Sequence, residues 1–189
     1  MEKKALIFLA DGFEEVEAAT PVDYLRRAGI KVVMAAIGKN AAVTGSHGIT
    51  LTADTTLETM EKQGELNPDG WDCVIIPGGM PGSKNLAACA PVGEFLKKTS
   101  GKGKLIAAIC AAPAVVLAPL DLLEGKRFTC YPGMEQGLTS GIWTEDKVAT
   151  DGSLITSRAA GTAAEFAFAI IRILVGSDQE KKLRSALLL

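Results

Sequence analysis

At 189 residues, 48% of them hydrophobic and 22% charged, the chain is long enough for one well-packed core and too apolar for disorder. The formal charge of −2 comes from 20 basic and 22 acidic residues that are scattered along the chain, so no nucleic-acid surface is indicated. The longest uncharged run, residues 105–120, is shorter than the roughly 20 residues of a membrane span and is interrupted by Pro113 and Pro119, which excludes a spanning helix there.

The chain alternates strand and helix. Residues 4–10 (KALIFLA) form a near-continuous apolar run, as in a parallel strand covered on both faces. This run passes into an acidic segment without a small-residue cleavage site, so it reads as a strand and not a signal peptide, and a cytoplasmic location is expected. After a loop at Asp11 and Gly12, a helix is predicted to about Ala28, with Glu14, Glu15 and Glu17 at its positive end, Gly29 as its stop and a bend at Pro21. Glu14 and Glu15 read as solvated helix-start charges.

A strand over 31–37 is followed by a hairpin excursion over 41–53 (AAVTGSHGITLTA) and a short helix over 56–61. The segment DCVIIPGGMPG is a buried strand that ends at the glycine pair Gly78 and Gly79. Helical material broken by Pro91 spans 85–98, and a turn over 100–104 leads into KLIAAICAAPAVVLAP, a strand, Cys110 and a helix-like run with Pro113 near its start. A short strand is predicted over 128–131. KVATDGSLITSR reads as a hairpin with a type I′ turn at Asp151-Gly152. A helix over 162–175 places Ala163, Phe166, Ile170 and Ile173 on one stripe and opens with a Thr162/Glu165 capping box. A last amphipathic helix spans 178–188. No repeat or linker interrupts the pattern, so residues 1–189 are expected to form one domain. βαβ units of this kind build a parallel sheet between helical layers, with ligands at the carboxyl ends of the strands.

Those ends carry the candidate site. Cys110 at a strand-to-helix turn meets unpaired backbone N–H groups and a helix dipole, both of which favour a thiolate; the plain alternative is a small packing residue. Glu17 can share a hydrogen bond with the sulfur and act as acid or base. Gly78 and Gly79 let backbone approach a ligand closely, and the N–H groups of Gly79 and Ala111 can form an oxyanion hole; the alternative is an ordinary strand-ending turn. Neither phosphate-binding glycine spacing is met. The single histidine, His47, lies in the hairpin far from Cys110, so an intrachain Cys–His pair is not expected, and its remaining role would be to approach a partner subunit's site. Cys73 and Cys89 read as packing residues, Cys130 precedes Tyr131 and Pro132, and no metal-ligand spacing is present.

DGFEEVEA, IIPGG, LIAAICAAP and ITSRAAGT, at these separations, resemble the ThiJ/PfpI family, and within it the group of the Parkinsonism-associated protein deglycase and its bacterial relatives. The resemblance covers nearly the whole chain. It implies a flavodoxin-like three-layer α/β sandwich with a mainly parallel sheet, a strained cysteine nucleophile elbow and a homodimer. It makes Cys110 the nucleophile, Glu17 its carboxyl partner, Gly79 and Ala111 the backbone donors, and Arg27 a structural or interface residue. Tyr131 stands where many members have a histidine, which speaks against a protease-like triad. Ala159 to Thr162 read AAGT in place of GPGT, at a dimer contact in the family.

The activity so implied is that of a glyoxalase or deglycase-like enzyme acting on small aldehydes or glycated adducts through an oxidation-sensitive Cys110, with no cofactor and no metal. The alternative is a redox sensor or chaperone that works through oxidation of Cys110. A flavin or nucleotide-binding module is the third reading, from fold class alone.

Overall fold

The computed structural model describes residues 2–189. The strands are β1 (Lys4–Leu9), β2 (Lys31–Ala36), β3 (Ala42–Thr44), β4 (Thr50–Thr52), β5 (Thr55–Thr56), β6 (Cys73–Ile76), β7 (Leu105–Ile109), β8 (Arg127–Phe128), β9 (Ile142–Trp143), β10 (Val148–Asp151) and β11 (Leu154–Ser157). The α-helices are α1 (Glu15–Arg27), α2 (Leu57–Gln63), α3 (Gly82–Ala88), α4 (Ala90–Gly101), α5 (Ala163–Val175) and α6 (Ser177–Ala186). Seven strands make the central sheet in the order β10-β11-β7-β6-β1-β2-β5, parallel except for the edge strand β10. This is the flavodoxin-like α/β class expected from the sequence. Among the described residues no helix is long and apolar enough to cross a membrane.

Strand alternation explains why the KALIFL run lacks polar positions. Ala5, Ile7 and Leu9 face one core, shared with Leu25 of α1 and Phe166 and Ile170 of α5. Leu6 and Phe8 face the other, with Met60 of α2, Leu86 of α3 and Phe95 of α4. Both faces are covered, so residues 5–9 are fully buried. The chain leaves β1 toward β2 on one side and returns to β6 on the other. The carboxyl ends of β1, β6 and β7 therefore lie side by side at the switch point of the sheet.

Several local expectations are corrected. The β10–β11 connection pairs Asp151 with Leu154, so its two central residues are Gly152 and Ser153. Only Gly152 has positive φ (+59°), as in a type II′ and not a type I′ turn. Thr162 precedes α5 without capping it, because its Oγ1 is engaged with Ala159 and Ser157, while Glu165 pairs with Arg184. On the α5 stripe Ala163, Phe166 and Ile170 are buried, but Ile173 faces solvent. α1 runs through Pro21 without interruption. Helix 85–98 is two helices that meet at Cys89, with Pro91 tolerated in the first turn of α4. The strand at 128–131 is Arg127–Phe128, paired in parallel with β9, which has no clear sequence pattern of its own.

Candidate active site

The chain leaves β7 at Ile109 and turns at Cys110 with φ +64°, a left-handed conformation that a residue with a Cβ occupies at a cost of about 1–3 kcal/mol. Two neighbours hold it there. The Cys110 N–H donates to the Ser157 carbonyl at the end of β11 (2.9 Å), and the Cys110 carbonyl accepts from the Tyr131 N–H (2.9 Å). Beyond the turn, the helix-like run expected from the sequence forms with irregular geometry: residues Pro113–Leu117 make a π-type turn and Ala118–Leu120 a 3-10 turn. Pro113 stands in the first turn of this run, where its missing N–H costs no intrahelical bond.

Glu17 arrives from the first turn of α1. The Glu14 side chain caps that helix by accepting from the Glu17 N–H (2.7 Å), and the Glu17 carboxyl points inward, 1% exposed. Its Oε2 accepts from the Gly78 N–H (3.0 Å), and the carboxyl and the Cys110 side chain both pack against Gly78, with the Ala160 N–H also near enough to favour the charged carboxylate. A Cβ on Gly78 would collide with Glu17 Oε2 and come within 2.6 Å of Cys110 Cβ, so only glycine leaves room for this contact. Gly79 has φ +88°, and a Cβ there would strike the backbone of the Gly12–Glu14 loop.

Burial pushes the Glu17 carboxyl up to about 7; the Glu14 charge adds to the rise, and the bonds to Cys110, Gly78 and Ala160 limit it. Burial likewise pushes the Cys110 thiol up to about 12, reinforced by the charge and hydrogen bond of Glu17. The N–H groups of Ala111 and Gly79 pull the other way without prevailing. The burial and the Glu17 charge thus oppose the thiolate that the start of a helix favours, and both groups are pushed toward their protonated forms. Desolvation and a neighbouring negative charge outweigh two amide dipoles.

The other predicted residues lie elsewhere. His47 is exposed and bonded within its own chain to Glu15: its N–H donates to Oε1 (2.7 Å) and its Nδ1 lies 2.9 Å from Oε2. Glu15 also accepts from the Ile49 N–H (3.3 Å). Burial works against the charge of Glu15, yet these bonds hold its carboxyl down at about 2, and Glu15 in turn raises His47. Glu14 and Glu15 are therefore not solvated helix-start charges. The hairpin of β3 and β4 folds over the start of α1, and Glu15 pins it there. Glu14, Glu15 and His47 also bring three ligating atoms within 4.8 Å of one another, a grouping of residues far apart in the chain that spacing alone hid. Arg27, in the last turn of α1, pairs with Asp23 on the surface (2.8 Å). That turn is about 15 Å along the helix from Glu17. Cys73 and Cys130 are fully buried, whereas Cys89 is half-buried at the α3–α4 junction.

Three contributors are absent from the residues that the sequence marks as a site: the Ser157 carbonyl, the Ala160 N–H and the Glu14 cap. The first two act through backbone, which leaves no side-chain signature. Their stretch is visible in the sequence only as the ITSRAAGT motif.

Residues 3–173 match the model of the DJ-1/PfpI family. The chain is 41% identical to protein dj-1beta of Drosophila melanogaster over 190 residues, covering 100% of this chain and 98% of that protein. The crystal structure of that protein superposes with a TM-score of 0.92, over 100% of this chain and 99% of the other. A Pyrococcus abyssi protein named as a deglycase is 33% identical over 160 residues, 84% of this chain and 91% of its own length. The Arabidopsis thaliana protein DJ-1 homolog B is 38% identical over 178 residues, which are 94% of this chain and 39% of that longer protein.

Proposed function

The chain belongs to the DJ-1/PfpI family, and from that premise we propose that it is a cofactor-independent enzyme that converts small 2-oxoaldehydes such as methylglyoxal into 2-hydroxy acids. The observation that carries this reading is the buried Glu17 carboxyl, packed with Cys110 around Gly78 and pushed by burial up to about 7. A base with that affinity for protons matches proton transfer at neutral pH. The Pyrococcus abyssi relative is named as a deglycase, which supports an enzymatic reading for the shared fold.

Cys110 adds to the aldehyde carbon as Glu17 takes the thiol proton and passes it to the carbonyl oxygen, giving a hemithioacetal. The N–H groups of Gly79 and Ala111 stabilise the negative charge that develops on that oxygen. Glu17 then removes the hydrogen from the same carbon, and the resulting enediol is reprotonated on the neighbouring carbon to give a thioester. Water cleaves the thioester, releases the hydroxy acid and restores the thiol. The sum is aldehyde plus water to hydroxy acid, with no oxidant or reductant. Ser157 and Tyr131 act as positioning residues by holding the backbone of Cys110.

The test is hydroxy-acid formation from methylglyoxal by reduced wild type, Cys110→Ser and Glu17→Gln. We expect turnover by wild type, at least 100-fold loss in each variant, and an acid limb of the wild-type pH profile near 7. Inert wild type under reducing conditions overturns the enzyme reading and favours a sensor that works through oxidation of Cys110.

A further inference from the structure

The opposite end of the sheet carries a second constellation. The strand registers pair Lys4 with Lys31 and place Asp72 beside Lys4 and Lys104 beside Asp72. The row Lys31, Lys4, Asp72, Lys104 therefore crosses the amino-terminal edge of four adjacent parallel strands. It holds three ammonium groups and one carboxylate. Asp72 is already engaged, by the Lys3 ammonium (3.2 Å) and the Lys4 N–H (2.9 Å). Among the described residues no carboxylate lies within 4 Å of the ammonium of Lys4, Lys31 or Lys104, although Lys3 and Lys102 each have an acidic partner. Like charges directly opposite on neighbouring strands destabilise a sheet.

Lys4 and Lys31 open onto a concavity of about 270 Å³. Val33 and Trp71 form its apolar wall, and the Trp71 ring is fixed there by donation from its Nε1 to the Glu65 carbonyl (3.1 Å). Asn67 also lines it; its Oδ1 accepts from the Asp69 N–H (3.1 Å), which leaves the amide NH₂ as a donor. Glu65, the one acidic lining residue, forms no ion pair with either lysine. Two unpaired cations, a neutral donor and an indole wall suit an anion with an apolar body. The volume falls just below the roughly 300–1,000 Å³ of drug-sized ligand sites, which fits a ring with one head group and not a nucleotide.

We propose that this end of the sheet is a binding site for a small organic anion, a phosphate monoester or carboxylate with a compact apolar body, whose head group bridges Lys4 and Lys31 while the body lies against Val33 and Trp71. The site is separate from Cys110, because the row lies at the opposite end of the strands, Lys104 standing six residues and about 20 Å before Cys110 along the line of β7.

The test titrates the full chain with phenyl phosphate, benzoate and inorganic phosphate and follows the Trp71 indole N–H resonance, assigned with Trp143→Phe. We expect a saturable shift with at least one aromatic anion, weaker binding of inorganic phosphate, a rise in Kd of at least tenfold in Lys4→Gln/Lys31→Gln, and retention in Lys31→Arg and Cys110→Ala. The stronger of the two aromatic anions identifies the head group. The lysine variant should keep wild-type melting behaviour and wild-type turnover at Cys110, so failure here is distinguishable from failure of the enzyme reading. Absence of a saturable shift at millimolar anion, unchanged affinity in the double lysine variant, or inorganic phosphate binding as tightly as phenyl phosphate overturns the proposal.

Discussion

Replacing Glu17 by Gln should make the protein more stable above neutral pH while removing its proposed chemistry. The carboxyl is 1% exposed and is pushed up to about 7 from an ordinary value of 4.5. Below pH 4.5 the group is protonated in both folded and unfolded chains and has no effect on their balance. Between 4.5 and 7 the unfolded chain releases the proton while the folded one keeps it, so stability falls as pH rises, and above 7 the full penalty is present. At 1.36 kcal/mol per pH unit that penalty is about 3 kcal/mol. Gln has nearly the same shape, so it can accept from Gly78 and donate to the sulfur, although a neutral amide holds the N–H groups less strongly than a carboxylate. The expected net gain is about 2 kcal/mol at pH 8.5, or about 4–8 °C in melting temperature for a chain of this length. Thermal melts of wild type and variant from pH 4 to 8.5 check this. The curves should converge at the acid end and separate through pH 5–7. A pH-independent difference, or a variant that melts below wild type at pH 8.5, would refute the account of a desolvated carboxyl held at a cost.

The same geometry sets three further outcomes. Gly78→Ala drives a methyl group between Glu17 and Cys110, so we expect destabilisation of about 1–3 kcal/mol in urea unfolding and turnover reduced beyond what that instability explains. Glu15→Gln should unfold at lower urea at pH 7, by about 1–2 kcal/mol, because its carboxylate accepts from His47 and Ile49. Since Glu15 is held at about 2, that contribution is present above about pH 4.5 and lost as pH falls through 2, so the gap should close in acid. Glu180→Gln should loosen α6: its carboxylate accepts from Arg172 (2.6 and 2.9 Å) and Arg184 (3.0 Å), which together hold it at about 2. Amide exchange over Ser177–Ala186 should accelerate while exchange in β1 and β7 stays unchanged.

Sequence by itself determined what depends on local pattern. The uninterrupted KALIFL and LIAAI runs specified strands buried on both faces, their alternation with helices specified a parallel sheet, and the glycine pair and Cys110 after two such strands marked where a site belongs. Cys110, Gly78 and Gly79 were legible because each is a residue type that stands out against its surroundings, whereas Glu17 shares its type with Glu14 and Glu15 and is set apart only by the direction in which the helix turns it. Only the tertiary structure decided what those groups are chemically. Proton affinity is set by desolvation and by neighbours brought from other strands, and burial and Glu17 push the Cys110 sulfur away from the thiolate that a helix start would favour. Long-range closure also decided the fates of Glu15 and His47, which lie 32 residues apart and meet only because the β3–β4 hairpin folds over α1. Backbone partners such as the Ser157 carbonyl and the Ala160 N–H belong to every residue alike, so no sequence pattern distinguishes them until the sheet sets β11 beside β7 and presents them to Cys110 and Glu17.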